Sequence, residues 1–254
     1  MNNNFRKRFY ENYLTTQVIS DGMDLKKEIN NRSPYLKYLI KSFVSNDKNI
    51  KVLDLACGYG AFLFLLKEAG YNNLQGVDVS SEQIEAAKKL GLSCVFVKDI
   101  LETLKSYADS SIDLLVAMDI LEHCTKEEAL QIVDEMFRVL DGKGRVIIHV
   151  PNGEAIFSGS VYFSDLTHET NYTRRSVTQL MKMAGFKTIR LYEDTPIVHG
   201  IKSAIRFLLW KFFRSFFCLI YMSETGDHGK ELILTQNILA IVSKNQFFPK
   251  HENK

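Results

Sequence analysis

The sequence lacks an excess of charge of either sign. Among its 254 residues, 32 are Lys or Arg and 30 are Asp or Glu, which leaves a formal net charge of +2 at pH 7. So small a charge creates no overall field that would attract nucleic acid. We therefore expect a small or locally charged partner and no nucleic acid.

Cysteine is scarce, and the N-terminus has no long hydrophobic run. The four cysteines are scattered with no pair at metal-ligand spacing, so we predict reduced thiols and no metal site. The first residues, MNNNFRKRFYENYL, lack the continuous apolar stretch of a signal peptide. Both observations favour a cytoplasmic protein.

What the sequence does contain is a regular alternation of strand-like and helix-like segments. Hydrophobic residues make up 46% of the chain, enough for one sizeable core. Near-continuous apolar runs, typical of parallel strands buried on both faces, predict strands at 52–55, 74–79, 93–97, 112–118 and 145–150. Two more strands are expected in FKTIRLYE and ILTQNILAIVSK. This alternation predicts an α/β fold with a doubly wound sheet.

Two helices between the predicted strands carry start signals. Ser80 with Gln83, and Thr125 with Glu128, each fit a capping box, in which side chains satisfy the free N–H groups of the first turn. The helix after Thr125 is expected to end at the turn DGKG. A later helix is expected to begin at Thr173.

The first strand leads into a glycine turn in the segment VLDLACGYGAFL. In an open parallel sheet, a ligand lies beyond the carboxyl ends of the strands, beside the first strand. Gly58 and Gly60 stand at this place and would let backbone amides approach a ligand. A dinucleotide fingerprint requires a third glycine where Leu63 stands, which argues against a nicotinamide cofactor.

The same segment resembles motif I of the class I S-adenosylmethionine-dependent methyltransferases, with Ala56 where glycine is more usual. Three later segments, LQGVDVSSEQI, FVKDI and IDLLVAMDILEH, resemble further elements of that family in the family's order. The resemblance implies a mostly parallel seven-stranded sheet with an antiparallel last strand, and S-adenosylmethionine as cofactor. The cofactor-binding residues that it implies are Asp54, Ala56, Gly58, Gly60, Asp78, Val79, Asp99, Ile100, Met118 and Asp119.

Within this set, the resemblance implies a different role for each strand end. Asp78 would accept hydrogen bonds from the ribose hydroxyls, and Asp99 would bind the adenine amino group. Met118 would line the methionine end of the site with Asp119. Two alternatives stay open, since Asp54 can mainly orient the turn and Asp119 can merely cap the helix that follows.

The acceptor side is expected after the fourth and fifth strands. Methyl transfer needs alignment and, for a hydroxyl acceptor, a base. In the loop FSDLTHETNYT, Asp165 stands close enough in sequence to orient the imidazole of His168, so we predict His168 as general base with Asp165 as its partner. In the alternative, His168 braces the loop. His123 and Asn152 are assigned to the acceptor side, whereas His149 is expected to be a hydrogen-bonded core histidine.

The string DLTHETNYTRRSVTQLMKMAGF resembles a subgroup of these enzymes associated with sugar and surface-polysaccharide modification. Within it, Arg174 and Arg175 open a helix, where cations are disfavoured. An anionic acceptor, such as a sugar phosphate, a nucleotide sugar or a phosphoramidate, would account for both arginines. Ordinary solvation is the alternative.

The segment GIKSAIRFLLWKFFRSFFCLIY is both aromatic and basic. Lys202, Arg206, Lys211 and Arg214 interrupt it too often for a membrane span. On a helix, its apolar residues would form one side and these four cations the other. Such a helix suits a cover of the active site, or a homodimer or peripheral membrane contact through residues 201–221.

These segments divide the chain into four parts. They are an N-terminal helical segment over the cofactor site (1–45), a cofactor-binding core (46–194), the aromatic and basic insertion (195–230) and a last strand (231–244). The leading hypothesis is O-methylation of a sugar or related small polar acceptor in capsule or lipopolysaccharide synthesis. An N-methyltransferase, an NAD-dependent oxidoreductase and a non-catalytic scaffold are the alternatives.

Overall fold

The computed structural model describes residues 3–13, 25–226 and 231–245. In this part of the chain, seven strands form one sheet in the order β3-β2-β1-β4-β5-β7-β6. The strands are β1 Val52–Leu55, β2 Leu74–Asp78, β3 Val95–Val97, β4 Ile112–Met118, β5 Leu140–Pro151, β6 Thr188–Glu193 and β7 Asn237–Ser243.

Nine α-helices are present in the described residues, together with a 3-10 turn at Leu121–His123. The helices are α1 Asn3–Glu11, α2 Leu25–Phe43, α3 Ala61–Glu68, α4 Ser81–Lys89, α5 Ile100–Lys105, α6 Lys126–Val139, α7 Ser158–Tyr162, α8 Arg174–Met183 and α9 Ile201–Thr225.

The first five strands run parallel, and β7 runs antiparallel between β5 and β6. In the register, Asp54 of β1 lies opposite Gly76 of β2 on one side and Val116 of β4 on the other. The carboxyl ends of the central strands therefore meet at one edge of the sheet. The prediction of a mostly parallel, doubly wound sheet with an antiparallel last strand is confirmed.

Helices pack on both faces of this sheet. On one face, Leu53 of β1 belongs to a buried cluster with Val133 of α6. On the other face, Val52 of β1 belongs to a second cluster with Leu39 of α2. All four residues of β1 are buried, as the apolar runs in the sequence predicted.

The segment DGKG does not end the helix before it, as the sequence suggested. The helix α6 ends at Val139, and β5 begins with the next residue. Leu140 pairs with Ile112 of β4, and the register then shifts before Arg145 pairs with Leu114. The segment is therefore a bulge inside a long strand, because strand pairing continues on both sides of it.

Only one of the two predicted capping boxes is complete. Thr125 and Glu128 bond reciprocally at the start of α6. At the start of α4, the Ser80 hydroxyl accepts from the Gln83 amide, but the Ser80 amide donates to Asp78. The Gln83 side chain therefore cannot complete the box, since the donor that it would need is already used.

Most residues of α9 are exposed, and few of them contact the rest of the domain. Ser203 is the one buried residue of this helix. Nε of Arg214 donates to both carboxylate oxygens of Glu193 in β6, at 2.8 and 2.7 Å, so this cation does not share the outer face with Lys202, Arg206 and Lys211 as predicted. No helix in the described residues is both long enough and apolar enough to cross a membrane.

Candidate active site

A cavity of about 390 Å³ opens at the carboxyl ends of β1, β2 and β4. Its volume lies within the range of small-molecule sites in proteins. Nine of the ten predicted cofactor residues line it, and Gly60 is the exception. His123 is the one predicted acceptor residue among the described residues of the wall.

Gly60 shapes the turn instead of facing the cavity. Its φ of +77° is a backbone conformation that L side chains rarely adopt, and an added Cβ would lie 2.4 Å from Cδ1 of Leu92. Leu63, at the place of the missing third glycine, is fully buried. Gly76 of β2 allows the close packing of α3 on the sheet, because a Cβ on Gly76 would lie 2.5 Å from Cδ1 of Leu63.

Asp78 forms a polar cradle at the end of β2. Its Oδ2 accepts from the Gly58 amide at 2.9 Å, and its Oδ1 accepts from the Ser80 amide at 2.8 Å. Burial raises the pKa of Asp78, while these backbone bonds oppose the shift. A carboxylate has about four lone-pair positions. The Asp78 carboxylate therefore keeps acceptor capacity for a ligand in the cavity, which suits ribose hydroxyls.

Asp54 and Arg32 form a second polar part of the wall. Asp54 is buried at the end of β1, and this burial, followed by the charge of Asp78, raises its pKa to about 8. Arg32 of α2 opposes that shift and also lines the cavity. No carboxylate of the described residues lies within 4 Å of the Arg32 guanidinium. The sequence analysis did not identify Arg32 as a residue of the site.

Asp119 contacts the cavity from the end of β4, in a left-handed conformation with φ 55°. Its Oδ1 lies 2.5 Å from Nδ1 of His149, and Oδ2 of Asp194 lies 3.3 Å from Nε2 of the same imidazole. Burial disfavours the charged imidazole, but Asp119 and then Asp194 raise the pKa of His149 to about 10. Despite burial, the imidazolium lowers the pKa of Asp119. His149 is thus a buried, hydrogen-bonded histidine as predicted, and it is also charged.

The side chain of Asp119 lies in the cavity wall and keeps 44% of its surface accessible. The accessible part faces the cavity, whereas His149 behind it is only 8% accessible. Asp119 is therefore the member of the pair that a ligand in the cavity can contact.

The helix α1 and Tyr13 complete the described part of the wall. Arg6, Tyr10 and Tyr13 line the cavity. Nη1 of Arg6 donates to the Glu128 carboxylate at 2.8 Å, which joins α1 to the start of α6. The Tyr13 hydroxyl donates to Asp165 at 3.0 Å.

The predicted pairing of Asp165 with the His168 imidazole is not formed. Asp165 accepts from the amide and the hydroxyl of Thr167, at 2.8 and 2.6 Å, and from Tyr13. Nδ1 of His168 donates to the Tyr162 carbonyl at 2.7 Å. The intervening Thr167 takes the carboxylate, because a hydroxyl two residues away closes a tighter local turn than an imidazole can. A catalytic role for His168 stays a prediction.

Asp165 acts on His123 through Thr167. The Thr167 hydroxyl gives its proton to Asp165, so its oxygen accepts from Nδ1 of His123 at 2.8 Å. Burial, followed by the neighbouring His168, lowers the pKa of His123 to about 4. His123 is therefore neutral near pH 7, with its proton on Nδ1. The His123 and His168 rings are in edge contact, with centroids 4.7 Å apart.

The remaining predicted acceptor residues lie outside the cavity wall. Asn152 is buried and donates to the carbonyls of Ile233 and Thr235, so it joins two backbone segments. Arg174 forms an ion pair with Glu231. Arg175 is exposed on α8. The two arginines thus give no support to an anionic acceptor in this cavity.

The expectation that the aromatic and basic insertion covers the active site gains no support from the described residues. None of the described residues that line the cavity belongs to α9. The wall opposite the sheet is instead formed by α1 and α2, through Tyr10 and Arg32.

Sequence comparison identifies the central part of the chain. A protein-family model described as a methyltransferase domain matches residues 52–144. An uncharacterised protein of Methanocaldococcus jannaschii is 29% identical over 128 residues, which are 50% of this chain and 52% of that protein. Phosphoethanolamine N-methyltransferase 1 of Arabidopsis thaliana is 30% identical over 145 residues, 55% of this chain and 29% of that protein. The chain thus spans about half the length of the first relative and less of the second.

Solved structures share the fold over almost the whole chain. A SAM-dependent methyltransferase from Archaeoglobus fulgidus has a TM-score of 0.60 at 19% identity and covers 85% of this chain and 93% of that chain. The magnesium protoporphyrin IX methyltransferase from Synechocystis PCC 6803 with bound SAM has a TM-score of 0.54 at 14% identity and covers 94% and 96%.

The fold is therefore that of the class I S-adenosylmethionine-dependent methyltransferases. Residues 52–144 match a methyltransferase domain, and this match and the SAM-bound and SAH-bound structures of the same fold support S-adenosylmethionine as the cofactor. The Asp78 cradle agrees with the ribose-binding role that the sequence resemblance implies, because the carboxylate faces the cavity.

Proposed function

We propose that this chain transfers the methyl group of S-adenosylmethionine to a small polar acceptor. The observation that carries the proposal is the Asp78 cradle. Two hydrogen bonds from backbone amides hold the Asp78 carboxylate so that it faces a cavity of about 390 Å³. Bound S-adenosylmethionine supplies a methyl group activated by its sulfonium. The residues of the chain then have to hold the cofactor, align the acceptor and exclude water.

Cofactor binding is divided among three strand ends and α2. Asp78 binds the ribose hydroxyls, and Asp99 at the end of β3 binds the adenine amino group. Asp54 and Arg32 bind the amino-acid part, because an ammonium and a carboxylate need one partner of each sign. Among the described residues no carboxylate lies within 4 Å of Arg32, so its guanidinium is available for the ligand carboxylate. Burial raises the pKa of Asp54 to about 8, and an ammonium beside it would favour its ionised form, so that Asp54 becomes the negative partner.

The acceptor binds beside Asp119 and His123, under α1. The polar groups of the cavity wall include the Asp119 carboxylate, the His123 imidazole and the side chains of Tyr10 and Tyr13. These are hydrogen-bonding groups, which suit a hydroxyl-rich acceptor such as a sugar. Surface-polysaccharide synthesis remains the proposed setting, on the resemblance of the segment 165–186.

A small amine is the second candidate acceptor. The relative from Arabidopsis thaliana is named as a phosphoethanolamine N-methyltransferase. The exposed carboxylate of Asp119 would also suit a cationic amine. Such an amine would bind at the same part of the cavity wall as a sugar would.

The test is a panel of acceptors with methyl-labelled S-adenosylmethionine. Sugars, sugar phosphates and sugar phosphoramidates form one arm, and ethanolamine derivatives and other small amines form the other. Label in a sugar product supports the proposal, and label in an amine product favours the second candidate. Cofactor binding with no transfer to either arm would contradict both.

The exposed side of α9 is proposed to contact a lipid surface with anionic head groups. Phe212 is 70% exposed, and Phe216 and Leu208 are exposed beside it. Lys202 and Arg206 lie exposed on the same helix. A second copy of the chain is a poorer partner, because a two-fold contact through α9 would bring like charges together. An interfacial helix combines such apolar groups with cations that attract anionic lipids.

A further inference from the structure

We propose that Glu122, His123 and His168 form a binding site for a divalent transition-metal ion. One nitrogen of each imidazole and one oxygen of the carboxylate lie within 4.8 Å of one another. Two imidazoles and a carboxylate are ligands that Zn²⁺ and similar ions prefer. This inference does not rest on methyl transfer, since ion binding is measured without a methyl donor.

Hydrogen bonds of Nδ1 leave one nitrogen of each imidazole available for an ion. Nδ1 of His168 donates to the Tyr162 carbonyl, and Nδ1 of His123 donates to Thr167. In both rings, Nε2 therefore carries the lone pair. Histidine ligands of metals typically donate their other ring N–H to a carbonyl or a similar acceptor, which fixes the tautomer and the ring orientation.

The carboxylate of Glu122 gives an independent indication of a ligand. Glu122 is 1% exposed, and its Oε2 has no hydrogen-bond partner among the described residues. A buried polar atom without a partner costs free energy, and buried charges are typically paired or bound to metals. A cation at the centre of the three side chains would remove this cost.

The backbone keeps the three ligands together. The Glu122 carbonyl accepts from the Glu169 amide at 2.7 Å and from the Thr170 amide at 3.0 Å. These bonds attach the loop of His168 to the turn that contains Glu122 and His123. A tetrahedral ion with ligand distances of about 2.0 Å needs ligand atoms about 3.3 Å apart, so the side chains have to close inward by small rotations.

The ion would change the role of His168. As a ligand, His168 places its Nε2 lone pair on the ion and cannot also remove a proton from the acceptor. Asp165 then acts as a positioning residue, because it orients Thr167, which in turn orients His123. This assignment differs from the sequence-based expectation of no metal.

The test uses the full chain, stripped of metal with a chelator and dialysed against Zn²⁺. We expect one zinc per chain by elemental analysis, and a visible absorption spectrum of Co²⁺ bound at low coordination number. Glu122→Gln keeps the shape of the side chain but removes the anionic ligand, so zinc affinity should fall at least tenfold. His168→Gln should do the same, whereas His199→Gln, on an exposed residue outside the cluster, should bind as the wild type does.

Two measurements keep the result interpretable. Zn²⁺ should raise the melting temperature of the wild type and of His199→Gln, but not that of Glu122→Gln. If Glu122→Gln does not fold, Thr167→Val replaces it, and the lost orientation of His123 should weaken zinc binding roughly tenfold or more. Absence of stoichiometric zinc in the wild type, or equal affinity in the cluster variants, would overturn the proposal.

Discussion

Nδ1 of His149 lies 2.5 Å from Oδ1 of Asp119, so an ion pair joins a buried imidazole of the sheet to a carboxylate at the cavity. The imidazolium is held between two carboxylates, because Asp194 lies on its other side at 3.3 Å. The geometry predicts that His149 remains charged well above neutral pH and keeps Asp119 oriented toward the acceptor.

The first prediction concerns stability between pH 7 and pH 10. The pKa of His149 rises from 6.5 to about 10 on folding, so in this interval the folded state holds a proton that the unfolded state has released. The free energy of unfolding should therefore fall as pH rises, by at most about 1.4 kcal/mol per pH unit from this group. The contribution is fully present below pH 6.5 and lost above the folded pKa.

Urea denaturation at several pH values measures this slope. His149→Gln should flatten it, and His199→Gln should leave it as in the wild type. A slope that His149→Gln does not change would mean that the imidazole is neutral in the fold.

The second prediction concerns Ala56, which stands where the family more usually has glycine. Its φ of 56° is left-handed, which costs a residue with a Cβ about 1–2 kcal/mol. Ala56→Gly should therefore raise the free energy of unfolding by about 1 kcal/mol. Ala87→Gly in α4 is the control, and it should lower stability because it lies inside a helix. A loss of stability in both variants would contradict a strained turn.

Much of the fold was predictable, because each buried strand is a short apolar run that ends in a polar residue. Asp78 illustrates this, since its place at a strand end predicts its place at the cavity. Arg32 was not predictable, because its helix reaches the cavity by packing across the sheet from a distant part of the sequence. Asp194 was missed for the same reason, since it follows β6 and meets His149 of β5 only because both strands pair with β7.

The Asp165 and His168 pairing shows a different limit of sequence reasoning. Their spacing allows contact, but the local turn gives the carboxylate to Thr167. Short polar side chains compete for nearby groups in loops, and spacing alone does not say which one binds.

The third prediction separates the two ends of the cofactor. Arg32→Met should weaken binding of S-adenosylhomocysteine at least tenfold, because a charge-assisted hydrogen bond to its carboxylate is lost. It should leave the affinity for 5′-methylthioadenosine unchanged, since that compound lacks the amino-acid part. Arg206→Met, on the exposed face of α9, is the control. Equal losses for both ligands would place Arg32 outside the amino-acid subsite.

The fourth prediction concerns α9 and lipid vesicles. Vesicles with anionic lipids should bind the protein, and Phe212→Ser should weaken that binding about tenfold or more, because a buried aromatic ring contributes about 1.5–3 kcal/mol. Met183→Ser, which changes an exposed apolar residue on α8, should have no such effect. Co-sedimentation measures the affinities.

Two outcomes would contradict the lipid assignment. One is the absence of vesicle binding. The other is a dimer that forms without lipid and that Phe212→Ser abolishes, which would assign this face to a second copy of the chain.

Calorimetry of S-adenosylhomocysteine binding to the wild type, Asp78→Ala and Asp134→Ala measures whether the Asp78 cradle holds the cofactor. Asp134 is an exposed carboxylate on α6, remote from the described cavity wall. The account predicts binding to one site, a loss on the order of 2–4 kcal/mol in Asp78→Ala through two charge-assisted hydrogen bonds, and no change in Asp134→Ala. Equal affinity in Asp78→Ala, or binding of NAD in place of S-adenosylhomocysteine, would contradict it.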